Sequence, residues 1–300
     1  MRSIIKTVLK HKKALLILLA VFITAGSLAL GVQKFQQAQQ LQLLINSTIK
    51  HMVFVKGGTF QMGDVGYIDE KGRKQYFAGD ADVFPVHQVT LSSYSMQAYE
   101  TTFGDYDIYT NYIGRDLVAK SYRGEPYTTP THPAKDMTWY EAREYCQWLG
   151  EQIKHPMDLP TEAQWEYAAR SRGLAVAYAT NNGKFERGIN IRDSKEFWHP
   201  MPVGSWPPNP LGMYDMTGNV AEWTIDNWHV YRDKPLIDPR YDEYVPNRAK
   251  VTRGFGVIGA TGGIKLYKRI LVPPEGTGGG NGIRCVVNHP EALIAVPASD

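Results

Sequence analysis

The folded part of this chain lacks a basic surplus. The formal charge of +3 comes from 33 basic and 30 acidic residues, but five of the basic ones (Arg2, Lys6, Lys10, Lys12 and Lys13) precede Ala14, where no acidic residue occurs. What remains is 28 basic against 30 acidic side chains, or −2. That balance offers no basic footprint for nucleic acid. Cysteine is scarce as well: Cys146 and Cys285 are the only two. Neither lies in or just after the N-terminal apolar run, which excludes bacterial lipoprotein processing. The eight histidines are scattered, with no two within five residues, so no helical histidine pair can form. There are no internal repeats. Gly276–Gly282 has no following Lys-Ser/Thr and opens no helix, so it is not a phosphate loop and reads as a flexible surface loop. No Gly-x-Ser-x-Gly elbow surrounds Ser92, Ser93 or Ser95. The carboxylate pairs Asp105/Asp107 and Asp242/Glu243 are too close in sequence to face each other on a helix, and read as solvated surface charge.

What is present begins with an uncharged apolar run from Ala14 to Val32. At about 1.5 Å per residue this is just long enough to cross a bilayer core. Its positive flank, residues 1–13, is then a cytoplasmic tail, and the rest of the chain is extracytoplasmic. The expected protein is a single-pass inner-membrane protein with a periplasmic C-terminal domain. A cleaved signal peptide is the rival reading, because Ser27-Leu28-Ala29 resembles a small-residue cleavage site. Residues 33–51, rich in Gln and Leu, read as a helical stalk. In an oxidising compartment, two cysteines first suggest one disulfide, with two buried free thiols as the alternative.

High aromatic, glycine and proline content suits a loop-rich domain of 300 residues better than a helical bundle. Residues 52–290 form that domain, and 291–300 a tail. Met52–Val55 and Thr59–Gly63 read as two strands of a hairpin turned at Gly57-Gly58. Asp64–Asp82 reads as a polar loop, and Val86–Ser95 as one strand. Thr101 or Thr102 could cap a helix to about Tyr112. Thr138 with Glu141 has capping-box spacing, and the helix that follows places Ala142, Cys146 and Leu149 on one face. Thr161 caps a third helix, to about Arg170. His87, His132, His155, His199 and His229 read as polar surface or packing residues.

The most distinctive stretch is Gly212 to Trp223, Gly-Met-Tyr-Asp-Met-Thr-Gly-Asn-Val-Ala-Glu-Trp. It sets the oxygen donors of Asn219 and Glu222 three apart around a glycine turn. Leu159–Arg170 reads Leu-Pro-Thr-Glu-Ala-Gln-Trp-Glu-Tyr-Ala-Ala-Arg, and Gly282-Ile283-Arg284-Cys285 follows late in the chain. With Phe54–Gly63, Pro85–Val89 and Thr138–Trp148, these segments run in one order from about Met52 to Val287. In that order they resemble the formylglycine-generating enzyme family, the sulfatase-modifying factor domain. The resemblance implies an α+β, loop-rich, C-type-lectin-like fold with few short helices.

It also implies chemistry that can be compared position by position. The oxidases of the family bind copper through two cysteines after an Arg-Gly-Gly-Ser segment. Here Arg253-Gly254-Phe255-Gly256 is followed by Val257–Ile264 without a cysteine, and soft copper(I) has no thiolate pair there. Cys146 and Cys285 fall where the family resembles a structural disulfide. The related iron-dependent sulfoxide synthases add a histidine-rich helical domain, for which this chain has no room. No copper or iron is therefore expected. Asn219, Val220 (through its carbonyl) and Glu222 resemble a calcium site, and calcium takes six to eight oxygens. The alternative is that these side chains only bond the turn. A second family calcium site would use Asn190-Ile191, where the following loop departs from the pattern.

Two functions compete. One is a catalytically degenerate, membrane-anchored protein that binds an envelope or secreted protein partner, for instance as an immunity protein against a secreted toxin. The other is an oxidoreductase-type enzyme modifying a protein or small molecule, with Arg253, Arg284, Tyr267 and Trp223 as its candidate groups.

Overall fold

The computed structural model describes residues 2–115, 128–191, 199–254, 266–277 and 279–288, with side chains described from residue 24 onward. The chain divides into two compact units, Met1–Leu44 and Ile45–Asp300. The first is helical. It lies within α1 (Arg2–Lys50), a single helix covering both the apolar run and the expected stalk. Most of the expected anchor falls where side chains are not described. Among the described residues no helix is long and apolar enough to cross a membrane.

In the second unit come β1 (Met52–Val55), β2 (Gly58–Met62), β3 (Tyr67–Ile68), β4 (Lys74–Gln75), β5 (His87–Leu91) and β6 (Tyr94–Gln97). Then follow α2 (Phe103–Ile113), α3 (Trp139–Ile153), β7 (Met157–Asp158) and α4 (Glu162–Ala169). The chain closes with β8 (Ala221–Asn227), β9 (Leu236–Ile237), β10 (Lys250–Arg253), β11 (Ile270–Val272), β12 (Asn281–Gly282) and β13 (Val286–Val287). Two four-stranded sheets run β1-β6-β13-β7 and β11-β10-β8-β12, and a three-stranded sheet runs β2-β5-β9.

The expected hairpin across Gly57-Gly58 does not form. β1 pairs with β6, and β2 with β5, in different sheets. The single strand expected over Val86–Ser95 is likewise two, broken at Ser92-Ser93. The registers Val55↔Tyr94 and Gly58↔Leu91 show why. A two-stranded ribbon passes from one sheet to the next and bends at Gly57 opposite Ser92-Ser93. A Cβ on Gly57 would lie 2.3 Å from the Leu91 carbonyl oxygen, so only glycine fits the bend. The Gly57 N–H donates to Ser93 Oγ at 3.0 Å across it.

Helices α2, α3 and α4 each start on a threonine with a complete capping box: Thr102 with Asp105, Thr138 with Glu141, Thr161 with Gln164. Each box satisfies N–H groups that the first helical turn leaves without partners. Asp105 is therefore a helix cap, not solvated surface charge. Asp242 is not free either, since Arg240 donates to it at 2.7 Å. Ala142, Cys146 and Leu149 are buried on one face of α3, as their spacing predicts. Cys146 is joined there to Cys285. The region Asp64–Asp82 is not simply loop: it holds the β3–β4 hairpin. Buried Asp64 ties that excursion down by accepting the N–H groups of Gly66, Phe77, Ala78 and Gly79.

The glycine cluster 276–282 is not wholly a surface loop. Asn281-Gly282 is a buried strand, parallel to β8. A Cβ on Gly282 would meet Val220 Cγ2 at 2.6 Å, so the missing side chain lets β12 reach the core.

Candidate functional site

The Gly212–Trp223 stretch enters the core through a turn of left-handed backbone. Asp215, Gly218 and Asn219 have φ of 58°, 92° and 60°. Glycine, asparagine and aspartate are the residues that adopt this conformation at least cost. β8 then carries Ala221–Asn227 through the interior, every residue buried.

Asn219 and Glu222 do not face each other there. The Glu222 carboxylate accepts two bonds from Arg284, at 2.7 Å and 2.9 Å, and one from the Trp165 indole at 2.7 Å. Arg284 spends its remaining donors on the carbonyls of Gln97, Ala98 and Tyr214. The carboxylate that meets Asn219 is Glu100, which is 2% exposed. Its Oε2 accepts from Asn219 Nδ2 at 2.5 Å, and its Oε1 from the Val220 N–H at 3.2 Å. Asn219 Oδ1 accepts from the Met201 N–H at 2.8 Å. Asp215 lies near, accepting the Gly204 N–H at 2.6 Å. Sequence spacing had pointed to Asn219 and Glu222; Glu100 and Asp215 carried no local signal.

This cluster is electrostatically incomplete. Glu100, Asp215 and Glu222 share one cation, Arg284. Burial, reinforced by the Asp215 and Glu222 charges, pushes the Glu100 carboxyl well above the usual range. Burial also pushes Asp215 up to about 6. If all three acids ionise, the cluster carries −2. Buried charge of that size calls for a compensating cation or for protons. Among the described residues no three His, Cys, Asp or Glu side chains converge to hold a metal ion. An ion here would therefore need amide and backbone oxygens too, the donor set calcium accepts. Asn190 is buried, holding the 181–191 turn by bonds to Asn181, Asn182 and Glu186. The loop after it, 192–198, lies outside the described residues.

A second buried network joins α4 to the sheet. Arg253 donates to Glu162 at 2.8 Å and to Glu166 at 2.9 Å. Arg269 grips both oxygens of Glu162 at 2.7 Å and 2.9 Å, and Arg170 bonds Glu166 at 2.8 Å. Burial raises Glu162, but Arg269 and Arg253 outweigh it and hold its carboxyl at about 2. The Leu-Pro-Thr-Glu-Ala-x-Trp-Glu motif is thus a cap plus two buried anchoring acids. Arg253, Arg284 and Trp223 are all committed to such internal bonds, Trp223 to the Met137 carbonyl. Tyr267 is buried and stacks on Phe77 at 5.5 Å. None of these four suspects opens onto solvent. Among the histidines, His87 is buried edge-on to Tyr231 and His229 stacks on Tyr241 at 3.7 Å, so both are packing groups. Residues 257–264, where the copper cysteines of the family would fall, lie outside the described residues.

Comparison with known proteins fits this geometry. Residues 37–289 match the sulfatase-modifying factor enzyme 1-like domain. A serine/threonine-protein kinase, pkn1 of Chlamydia pneumoniae, is 30% identical over 219 residues, 67% of this chain and 31% of that protein. The chain therefore spans about a third of that relative's length. The inactive C-alpha-formylglycine-generating enzyme 2 of Bos taurus is 26% identical over 272 residues, 70% of this chain and 84% of that one. The solved structure of PvdO from Pseudomonas aeruginosa superposes with a TM-score of 0.63 at 26% identity, covering 79% of this chain and 93% of that one. The match over 37–289 shows that this chain belongs to the sulfatase-modifying factor, or formylglycine-generating enzyme, family.

Proposed function

We propose that this chain is a binding member of its family, without copper–thiolate oxidation, held at the inner membrane by residues 14–32 with its domain in the periplasm. Its partner is an envelope or secreted protein, and immunity against a secreted toxin is one such role. The observation that carries this reading is the fate of sulfur. Both cysteines are bonded to each other and fully buried, so no thiolate remains for copper. The family's inactive bovine relative supports it, because the scaffold is compatible with loss of activity. The test uses the full-length protein in detergent, copper(I) and a cysteine-containing sulfatase-type peptide. No formylglycine above the protein-free control is expected, whereas turnover would sink the reading. Site-specific crosslinking from the domain surface in intact cells should trap one discrete envelope partner.

For the ion, the proposed ligands are Glu100, the Asn219 amide oxygen and backbone carbonyls of the turn such as that of Val220, with calcium offsetting the excess negative charge. Asn219 would have to turn its amide to present oxygen. Glu222 serves there by holding Arg284. Calcium at about 100 times its Kd should stabilise the full-length protein by about 2.7 kcal/mol. A chelator should lower the melting temperature accordingly, and Asn219→Ala should abolish the difference. A melting temperature indifferent to both calcium and chelator would leave the turn bonded by side chains alone.

A further inference from the structure

An opening that the proposed function does not use lies away from the β8 turn. It is a cavity of about 400 Å³ between the start of α3, the strand end at Asn227 and the segment 242–250. Trp139, Tyr140 and Tyr244 supply its aromatic lining, with Tyr140 and Tyr244 well exposed at its rim. Lys250, the first residue of β10, forms part of its wall and is 6% exposed. Its ammonium lies 3.9 Å from the Trp139 ring centre and donates to the Ile225 carbonyl at 3.0 Å.

The surrounding charges leave Lys250 without an ion pair among the described residues. Arg143 takes Asp158, at 3.0 Å, and lies 3.7 Å from Asp242. Arg240 takes Asp158 and Asp242, and Arg115 takes Glu144. Asp226, beneath the strand, accepts the N–H groups of Glu162 and Tyr241 instead. Lysine is seldom buried without a carboxylate partner. Here Lys250 lines an aromatic-walled opening from a paired strand, with its amine held between the Trp139 ring and the Ile225 carbonyl.

We propose that Lys250 is a covalent capture site for an aldehyde carried on a flat, aromatic body, which packs against Tyr140 and Tyr244. The neutral amine adds to the carbonyl carbon, and the resulting carbinolamine loses water. The C=O bond is replaced by C=N, the two amine hydrogens leave with the carbonyl oxygen, and no oxidant or reductant is needed. The electrostatics assist. Burial pulls the Lys250 amine down to about 8, with Asp226 and Asp242 opposing and Arg143 and Arg240 adding to the shift. At pH 7.4 roughly a fifth of it is then neutral, against about one part in a thousand for an ordinary lysine. Such desolvated lysines are the nucleophiles used for imine formation.

The test treats the full-length protein with benzaldehyde and cyanoborohydride from pH 6 to 9 and maps the reduced adducts. Lys250 should label at least about tenfold faster at pH 7.4 than exposed Lys56 and Lys71, with a half-maximal rate near pH 8. Lys250→Arg, which keeps the charge, should lose that fast phase. Adducts spread over exposed lysines with no excess at Lys250, a rate still climbing at pH 9, or a fast phase retained in the variant would each overturn the proposal. Mapping on the unaltered chain decides the matter even if the variant does not fold.

Discussion

Arg284→Leu should destabilise the domain by about 3–5 kcal/mol, the cost of leaving one partner of a buried ion pair alone. Glu222 would keep only the Trp165 indole as a donor, and the carbonyls of Gln97, Ala98 and Tyr214 would each lose the bond from Arg284, Ala98 keeping that from the Tyr214 N–H. Those carbonyls belong to β6, the segment just after it and the β8 turn, so the loss reaches three parts of the core. Arg284→Lys should recover little, because one ammonium cannot span a bidentate carboxylate and three carbonyls. Adding Glu222→Gln to Arg284→Leu should recover part of the loss, since it removes the stranded charge. Urea titration of the parent, Arg284→Leu, Glu222→Gln and the double variant measures the cycle. A cost below about 1 kcal/mol for the single variant would mean that water reaches Glu222, contrary to its complete burial.

Removing the disulfide should cost about as much. Cys146 and Cys285 are 139 residues apart, and closing a loop of that size contributes roughly 5 kcal/mol in the chain-entropy model. Typical domains are stable by only about 5–15 kcal/mol in total, so Cys146→Ala/Cys285→Ala should be marginally folded or unfolded at 37 °C. The mechanism is specific. The bridge ties α3 to the segment leading into β13, the strand between β6 and β7 in the first large sheet. Without reductant, the intact protein should be lighter by two hydrogens than its reduced form. A mass showing two free thiols, or a double variant as stable as the parent, would contradict the bridge or its importance. Since both sulfurs are fully buried, reductant should act slowly on the native protein and rapidly in denaturant.

Much that is local in this protein was readable before its structure. Thr138 and Thr161 mark helix starts, and Thr102 is one of two candidates beside Thr101, because a cap and its N3 partner lie within four residues of chain. Ala142, Cys146 and Leu149 share a face because helical periodicity repeats over one short segment. The misreadings share a different cause. Met52–Val55 and Thr59–Gly63 do form strands, but alternation says nothing about which strand lies beside which. Their partners lie in β6 and β5, on the far side of a ribbon bend. Asn219 and Glu222 are only three apart, and that spacing does not say which partner each one bonds. Glu222 answers to Arg284, 62 residues on, and Asn219 to Glu100, 119 residues back. Lys250 gave no local hint at all, because its setting is built by α3, β8 and the segment before β10.

The sequence by itself determined the family, the helix starts, the near-neutral charge of the domain and the lack of a thiolate pair after Arg253. Each of these is written in residue identity and short spacing. Only the tertiary structure decided which buried charges are matched. Glu162 and Glu166 share three arginines, whereas Glu222, Glu100 and Asp215 share Arg284, two of whose donors go to Glu222. The physical reason is that the balance of a buried charge depends on distance in space within a few ångströms, through a medium that screens weakly. Chain spacing carries no record of that distance beyond a helical turn or a paired strand.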